Sequence, residues 1–463
     1  MNPFLQKILL NLPEVAPPVT KKLSFREKLK WTGICLVLFF VLSLVPLFGL
    51  GQNALQQFEI LSIILGASFG SILSLGIGPL VTASIVLQLL NGSGILKFDL
   101  QTKEGRQLFQ GLQKLSSIFF VIFEAVVYVF MGGLAPPQEL LGTVLYFQLE
   151  LLLIFQLFLG GLIVMFMDEV CSKWGFGSGI SLFIAAGVSQ SVFIRALSPL
   201  PAPSNPSIAT GAIPALFQSL AVGDPQTALL MFSSVASTIL IFVIAVYAQS
   251  MKVEIPLSFG RVRGHGIRWP LNFIYTSNIP VILISALIAN IQLWARLLQS
   301  WGYPVLGTFS GNTPTSGFVA WLYSPDLLGR LIRGSLTSTD LLQAATYLLF
   351  LIIGSVVFSW FWVQTSGMDA KSQAKQIMNS GLQIPGFRRD QRVLERLLER
   401  YITPLTVMGA IAVGILAGLS DISGALTNGT GLLLTVMIVY RLYEDITRQH
   451  MMDMNPLMKK FIT

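Results

Sequence analysis

The sequence predicts an all-α, polytopic membrane protein, on three observations. Charged residues make up 11% of the 463 and hydrophobic ones 53%, with a mean hydropathy of +0.71. A soluble chain of this length needs far more charge to cover its surface. The apolar runs are long and repeated, as spanning helices require, and the ten-residue alternating segments of a membrane barrel are missing. Finally, Lys and Arg fall almost entirely on alternate loops, as the positive-inside rule demands of a chain that crosses many times.

The chain opens with "MNPFLQKILLNLPEV". Leu5, Ile8, Leu9 and Leu12 lie on one helical face with no small-residue cleavage site after them, so the expectation is a short amphipathic helix on the membrane surface. Ten spans follow, at 31–49, 72–91, 113–133, 142–167, 178–197, 227–249, 271–295, 340–363, 402–419 and 423–440. A further apolar segment at 53–70 precedes the second span. Fused to that span as one helix, Phe58 to Leu90 would run about 50 Å against a hydrocarbon core of about 30 Å, and Gly66, Gly70, Gly76, Gly78 and Pro79 puncture it. Charge decides its status. With ten spans and a cytoplasmic N-terminus, all but four of the 30 Lys and Arg residues are cytoplasmic, the exceptions being Arg195, Arg296, Arg330 and Arg333. If 53–70 also crossed, the basic loops at 249–272 and 364–403 would face outward and the bias would collapse. The segment therefore enters the membrane without crossing it.

The two large cytoplasmic loops differ from the rest. "MKVEIPLSFGRVRGHGIRWP" (251–270) carries Lys252, Arg261, Arg263 and Arg268 among glycines and prolines. "GLQIPGFRRDQRVLERLLERYITP" (381–404) carries Arg388 and Arg389 and then a helical repeat, Leu394, Leu397, Leu398 and Tyr401. Such loops serve as topology determinants or lipid-facing charge, or they dock a polyanion through bidentate arginine contacts. The exterior stretch 300–338, rich in Gly, Ser, Thr and Pro, reads as a connector.

Within the spans, Glu124 in "VIFEAVVYV" and Glu150 in "FQLELLLIF" are functional candidates by their position alone, because a charge at the bilayer centre costs about 3 kcal/mol or more. Asn290 and Thr82 are the polar partners within the apolar runs, and helix–helix hydrogen bonding is the plainer role for all four. Cys35 and Cys171 read as buried small hydrophobes. With His265 and His450 the only histidines, no metal site or cofactor is indicated, and no nucleophile, zinc or nucleotide motif supports an enzyme.

Four apolar segments are interrupted or opened by glycine or proline: "GIGP" (76–79), "GFGSGI" (175–180), "SNIP" (277–280) and "GTG" (429–431). Broken helices occur where backbone faces protein or a cavity, in transporters at a substrate site and in channels at a constriction. The residues beside these breaks are aliphatic: Ile77, Val81, Ile180, Ile184, Ile279, Ile282 and Leu434. A branched aliphatic set suits a hydrophobic seal. The rival reading is a secondary transporter using Glu124 or Glu150 as its coupling carboxylate.

Blocks along the whole chain resemble the SecY family, the channel subunits of the Sec protein translocase: "FREKLKWTG", "LGIGPLVTASIVLQLL", "QLFQGLQKL", "GSGISLFIAAGVSQ", "YTSNIPVIL" and "GTGLLLTV". The "RVRG" loop and the "PEV" near the N-terminus are more similar to the archaeal and eukaryotic branch than to the bacterial one. The resemblance implies a clamshell of two pseudo-symmetric five-helix halves, 31–200 and 227–445, joined by an exterior linker at 201–226. The cytoplasmic N-terminal segment is 1–30 and the cytoplasmic tail 446–463. It implies a pore ring of Ile77, Val81, Ile180, Ile184, Ile282 and Leu434, with Ile279 adjacent. It implies a plug half-helix within 53–70 that includes Phe58, Ile60, Leu61, Ile64 and Leu65, and a lateral-gate polar cluster of Thr82, Glu124 and Asn290. Arg261, Arg263 and Arg388 match ribosome-docking positions, with ribosomal RNA as the contact. The implied partners are a SecE-type subunit, a small third Sec subunit, the ribosome, signal sequences and nascent polypeptides. The implied location is the cell membrane, with both termini cytoplasmic and lipid around the spans. Glu150 has no counterpart role.

Overall fold

The computed structural model describes residues 9, 11–19, 23–51, 70–92, 94–96, 98, 102–130, 133–202, 205–259, 266–276, 279–300, 302–310, 313–379, 382–383 and 390–454. The chain divides into two compact units, one of Met1–Gly211 with Ile438–Thr463, the other of Ala212–Met437. Each of the ten expected spans coincides with a helix. In order these are α1 (Phe25–Ser43), α2 (Gly78–Gly92), α3 (Lys103–Phe130), α4 (Val144–Trp174) and α5 (Gly179–Leu197), then, past the connecting α6 (Ala212–Val222), α7 (Pro225–Ser250) and α8 (Ile279–Ser300). After the short α9 (Phe318–Trp321) and α10 (Leu327–Ile332) come α11 (Ser338–Thr365), α12 (Ala370–Asn379), α13 (Gln391–Ile422) and α14 (Gly429–Met454). Among the described residues six helices are long and apolar enough to cross a membrane on those grounds alone: α3, α4, α5, α7, α11 and α13. Helix α2 is shorter, 15 residues or about 22 Å, because turns occupy the glycine-rich stretch before it.

In the first unit α4 is the hub. Leu153, Leu157, Val164 and Cys171 along one face are fully buried, against Val121, Ala125 and Val129 of α3, Leu80 of α2 and Phe183 of α5. Phe183 stacks on Phe39 of α1 with centroids 4.8 Å apart. Lipid tails are as apolar as leucine, so tight packing rather than water exclusion holds such helices together. Gly160 and Gly161 provide it. A Cβ on Gly160 would lie 2.1 Å from the Ile72 carbonyl oxygen, and one on Gly161 would lie 2.4 Å from Val121 Cγ1.

The N-terminal segment lies across this unit. Leu9 is buried against Gly111. Residues 11–19 are non-helical and are strapped to the ends of α3 and α4. Val15 N–H donates to Glu169 at 2.8 Å, Lys173 Nζ to the Val15 carbonyl at 2.6 Å, and Trp174 Nε1 to the Ala16 carbonyl at 3.0 Å. The Lys173–Glu14 ion pair and a hydrogen bond from Lys114 Nζ to the Pro13 carbonyl complete the attachment. Lys114 also pairs with Glu169, and the Lys173 ammonium, hydrogen-bonded to Glu14, holds that carboxyl below its usual range. Leu5 and Ile8, expected on the same apolar face as Leu9, lie outside the described residues.

In the second unit α7, α8, α13 and α14 share a core of Ile241, Ala245, Val281, Val413, Leu416, Leu432 and Val436, and α8 joins α11 through Ile284, Ile288, Tyr347 and Leu351. The loop at 251–270 is an antiparallel hairpin. Strand β1 (Lys252–Phe259) pairs with β2 (Gly266–Asn272), Ile255 opposite Trp269, and a two-residue β3 (Leu382–Gln383) joins the other edge of β1. Its inner face is filled by Val253, Ile255 and Leu271 against Ile377 of α12 and Leu394, Leu398 and Ile402 of α13. The leucine repeat at 394–401 thus belongs to α13 itself, which continues through Pro404 into the span. Strand β2 is also why α8 begins at Ile279 rather than near 271.

Candidate functional site

Each helix that carries a ring candidate buries other residues more deeply in its own unit, and Ile77 and Ile180 pack against the edge of the first unit's core. Helix α2 buries Leu80, Ala83 and Leu87, and Ile77 and Val81 are half-buried. Helix α5 buries Gly179, Leu182, Phe183 and Ala185, and Ile180 and Ile184, one turn apart, are half-buried. Helix α8 buries Val281, Leu283 and Ile284, with Ile279 and Ile282 half-buried. Helix α14 buries Leu432, Leu433, Val436 and Met437, with Leu434 half-buried. All seven aliphatic side chains are neither fully packed nor fully exposed.

The polar candidates of the first unit converge on Gly78, the first residue of α2. A Cβ there would lie 3.5 Å from a Glu124 carboxylate oxygen, so the carboxylate sits against the start of that helix, where the unpaired N–H groups and the helix dipole favour negative charge. The Thr82 hydroxyl donates to the Gly78 carbonyl at 2.9 Å. Asn290 lies in α8, its side chain outside the described residues. Glu150 falls on the same face of α4 as Leu153, Leu157 and Val164 and is 9% exposed. It belongs to the packed side of that helix.

Phe58, Ile60, Leu61, Ile64 and Leu65 lie outside the described residues, as do Arg261, Arg263 and Arg388. The hairpin that precedes and follows Arg261 and Arg263 in sequence is described, and it carries an Arg268–Glu254 ion pair at 2.9 Å, both side chains well exposed. Among the described residues no group of three or more His, Cys, Asp or Glu side chains is placed to hold a metal ion.

Two acids passed over in the sequence make well-formed contacts. Asp168 in α4 accepts the Ile180 N–H at 2.9 Å and the Ser178 hydroxyl at 3.3 Å. Asp421 in α13 accepts the Gly429 N–H at 2.7 Å and the Tyr347 hydroxyl at 2.8 Å. The signal that could have found them is an acid near the end of a span, 8 to 12 residues before a glycine-opened helix.

These features define a multi-pass helical membrane protein with half-buried aliphatic residues beside its helix breaks. The chain belongs to the SecY family, whose profile matches residues 71–443. It is 46% identical over 455 residues to the protein translocase subunit SecY of Methanothermobacter thermautotrophicus, covering 97% of this chain and 96% of that one. It is 44% identical over 463 residues to that of Pyrococcus furiosus, with the same coverage. Among solved structures it is similar to "The structure of a protein conducting channel", at a TM-score of 0.78 and 43% identity over 97% of both chains. A Sec61 chain from the canine ribosome-channel complex gives a TM-score of 0.76 at 43% identity, again over 97% of both.

Proposed function

We propose that the chain is the central subunit of a protein-conducting channel, carrying unfolded polypeptides across the membrane and releasing transmembrane segments sideways into lipid. The observation that carries this reading is the match over 97% of the chain to protein translocase subunits. The relatives are translocase subunits, which leaves the solute-transporter reading without support, and the packed position of Glu150 removes one of its two candidate carboxylates.

Within this reading the ring is Ile77, Val81, Ile180, Ile184, Ile282 and Leu434. The half-burial of all six supports it, and their chemistry suits it: branched aliphatics close around a chain, exclude hydrated ions and hold no passing sequence strongly. Thr82, Glu124 and Asn290 form the gate cluster, supported by the convergence of the first two on Gly78. Segment 53–70, with Phe58, Ile60, Leu61, Ile64 and Leu65, is the plug. Both termini and the two basic loops are cytoplasmic, and Arg261, Arg263 and Arg388 dock the ribosome through its RNA. A SecE-type subunit and a small third subunit complete the complex in the cell membrane. The channel is passive and takes its drive from the partner that feeds it.

The test is reconstitution of the complex in vesicles with an unfolded polypeptide bearing a signal sequence, fed by a ribosome. Protease-protected polypeptide inside the vesicles, lost when the signal sequence is deleted, is the expected result. No protection above empty vesicles would overturn the reading.

A further inference from the structure

The same arrangement occurs once in each unit. Asp168 lies six residues before the end of α4, and Asp421 is the last residue but one of α13. Each carboxylate reaches across a turn to hold the backbone N–H at the start of the next helix: Ile180 of α5 at 2.9 Å and Gly429 of α14 at 2.7 Å. Each of these helix starts is also wedged against the helix before it. A Cβ on Gly179 would fall 2.6 Å from Asp168 Cα, and one on Gly429 would fall 2.1 Å from the Ala417 carbonyl oxygen. Neither helix end can slide or turn without breaking a charge-assisted hydrogen bond and losing a backbone contact.

Ordinary caps elsewhere in the chain come from the adjoining residues. Asp224 caps α7 through Gln226 and Thr227, and Asp390 caps α13 through Arg392. The cap residue of α5, Ser178, makes no side-chain bond to its own helix and is held by Asp168 instead. The two helices treated this way are α5, with Ile180 and Ile184, and α14, with Leu434 five residues in, about 7.5 Å along the axis. A slip of one residue would swing such a side chain by about 100°, off the lining.

We propose that Asp168 and Asp421 are positioning residues for the seal, fixing the height and rotation of the ring-bearing helix starts against their preceding helices. The inference rests on the ring assignment above, and its test separates the two. Complexes purified with their native partners and reconstituted in vesicles are compared for resting leak of a small ion, without substrate. Asp168→Ala and Asp421→Ala are expected to raise the leak by about tenfold or more, the factor that loss of one charge-assisted hydrogen bond implies. Asn at either position keeps an acceptor oxygen and should leak only a few-fold. Asp224→Ala, which removes an ordinary cap from a helix without ring residues, should match wild type. Ile180→Gly tests the ring itself. If Ile180→Gly leaks and both Asp→Ala variants stay at the wild-type level with unchanged thermal stability, the inference is wrong and the ring stands. If Ile180→Gly is tight, the ring assignment fails and the inference with it. Should either Ala variant not fold, the Asn variant decides: a leak equal to that of Asp224→Ala overturns the proposal.

Discussion

The glycine pair at the centre of α4 gives the sharpest test of how the first unit is held together. Gly160→Ala and Gly161→Ala each add one methyl group, yet they meet different obstacles. At Gly161 the new Cβ would lie 2.4 Å from Cγ1 of Val121, about 1 Å inside ordinary contact, and Val121 is itself buried. At Gly160 it would lie 2.1 Å from the Ile72 carbonyl oxygen, and a backbone oxygen cannot rotate away. Overpacking of this kind costs about 1–3 kcal/mol, and Gly160→Ala should sit at the top of that range or above it. The discriminating step is rescue. Val121→Ala removes the obstructing methyl groups, so in the double variant with Gly161→Ala the two losses should fall short of additive by about 1–2 kcal/mol. The same Val121→Ala should leave Gly160→Ala unrescued. Thermal unfolding of the purified complex in detergent, followed by tryptophan fluorescence, reads all five variants. Strict additivity at Gly161, or a harmless Gly160→Ala, would refute packing by close backbone approach as the organising contact.

Three further outcomes are expected. The strap at residues 11–19 is pinned in part by Glu14, whose carboxyl is held below its usual range by the Lys173 hydrogen bond. Its contribution is therefore full above the unfolded value near 4.5 and is lost as pH falls through the lowered folded value. Protease cutting within the strap should rise only in that acidic window, and Lys173→Met should abolish the dependence. Glu124→Gln removes the charge at the start of α2 and should let defective signal sequences through if the cluster holds the gate shut; unchanged signal tolerance would reduce it to packing. Charge reversal at Arg261 and Arg388 should weaken ribosome binding, with a shallower dependence on salt than wild type. Equal binding at every salt concentration would remove both from the interface.

The spans were readable because lipid imposes a length and a composition that few other constraints mimic. The aliphatic residues by the breaks stand out in the sequence because Ile77 and Ile180 adjoin glycines that no uninterrupted helix needs, and Leu434 follows Gly431 by three residues. The hairpin at 252–272 was not readable. Lys252, Val253, Glu254 and Ile255 alternate polar and apolar as a half-buried strand does, but Pro256 and the glycines that follow hide the pattern. Glu150 shows the reverse failure. An acid within a span attracts a functional reading, yet its helical face is shared with Leu153 and Leu157. Asp168 and Asp421 escaped notice because their partners are backbone N–H groups on other helices, which carry no mark in the sequence.

The central claim is that polypeptide passes the aliphatic ring. A photo-crosslinking residue placed singly at Ile77, Ile180, Ile282 or Leu434, and in control variants at the exposed Phe155 and Phe242, tests it on a stalled translocation intermediate. The account predicts that the four ring positions cross-link to the hydrophilic middle of the stalled chain, while Phe155 and Phe242 do not. Cross-links at the two phenylalanine positions with none at the ring would contradict it.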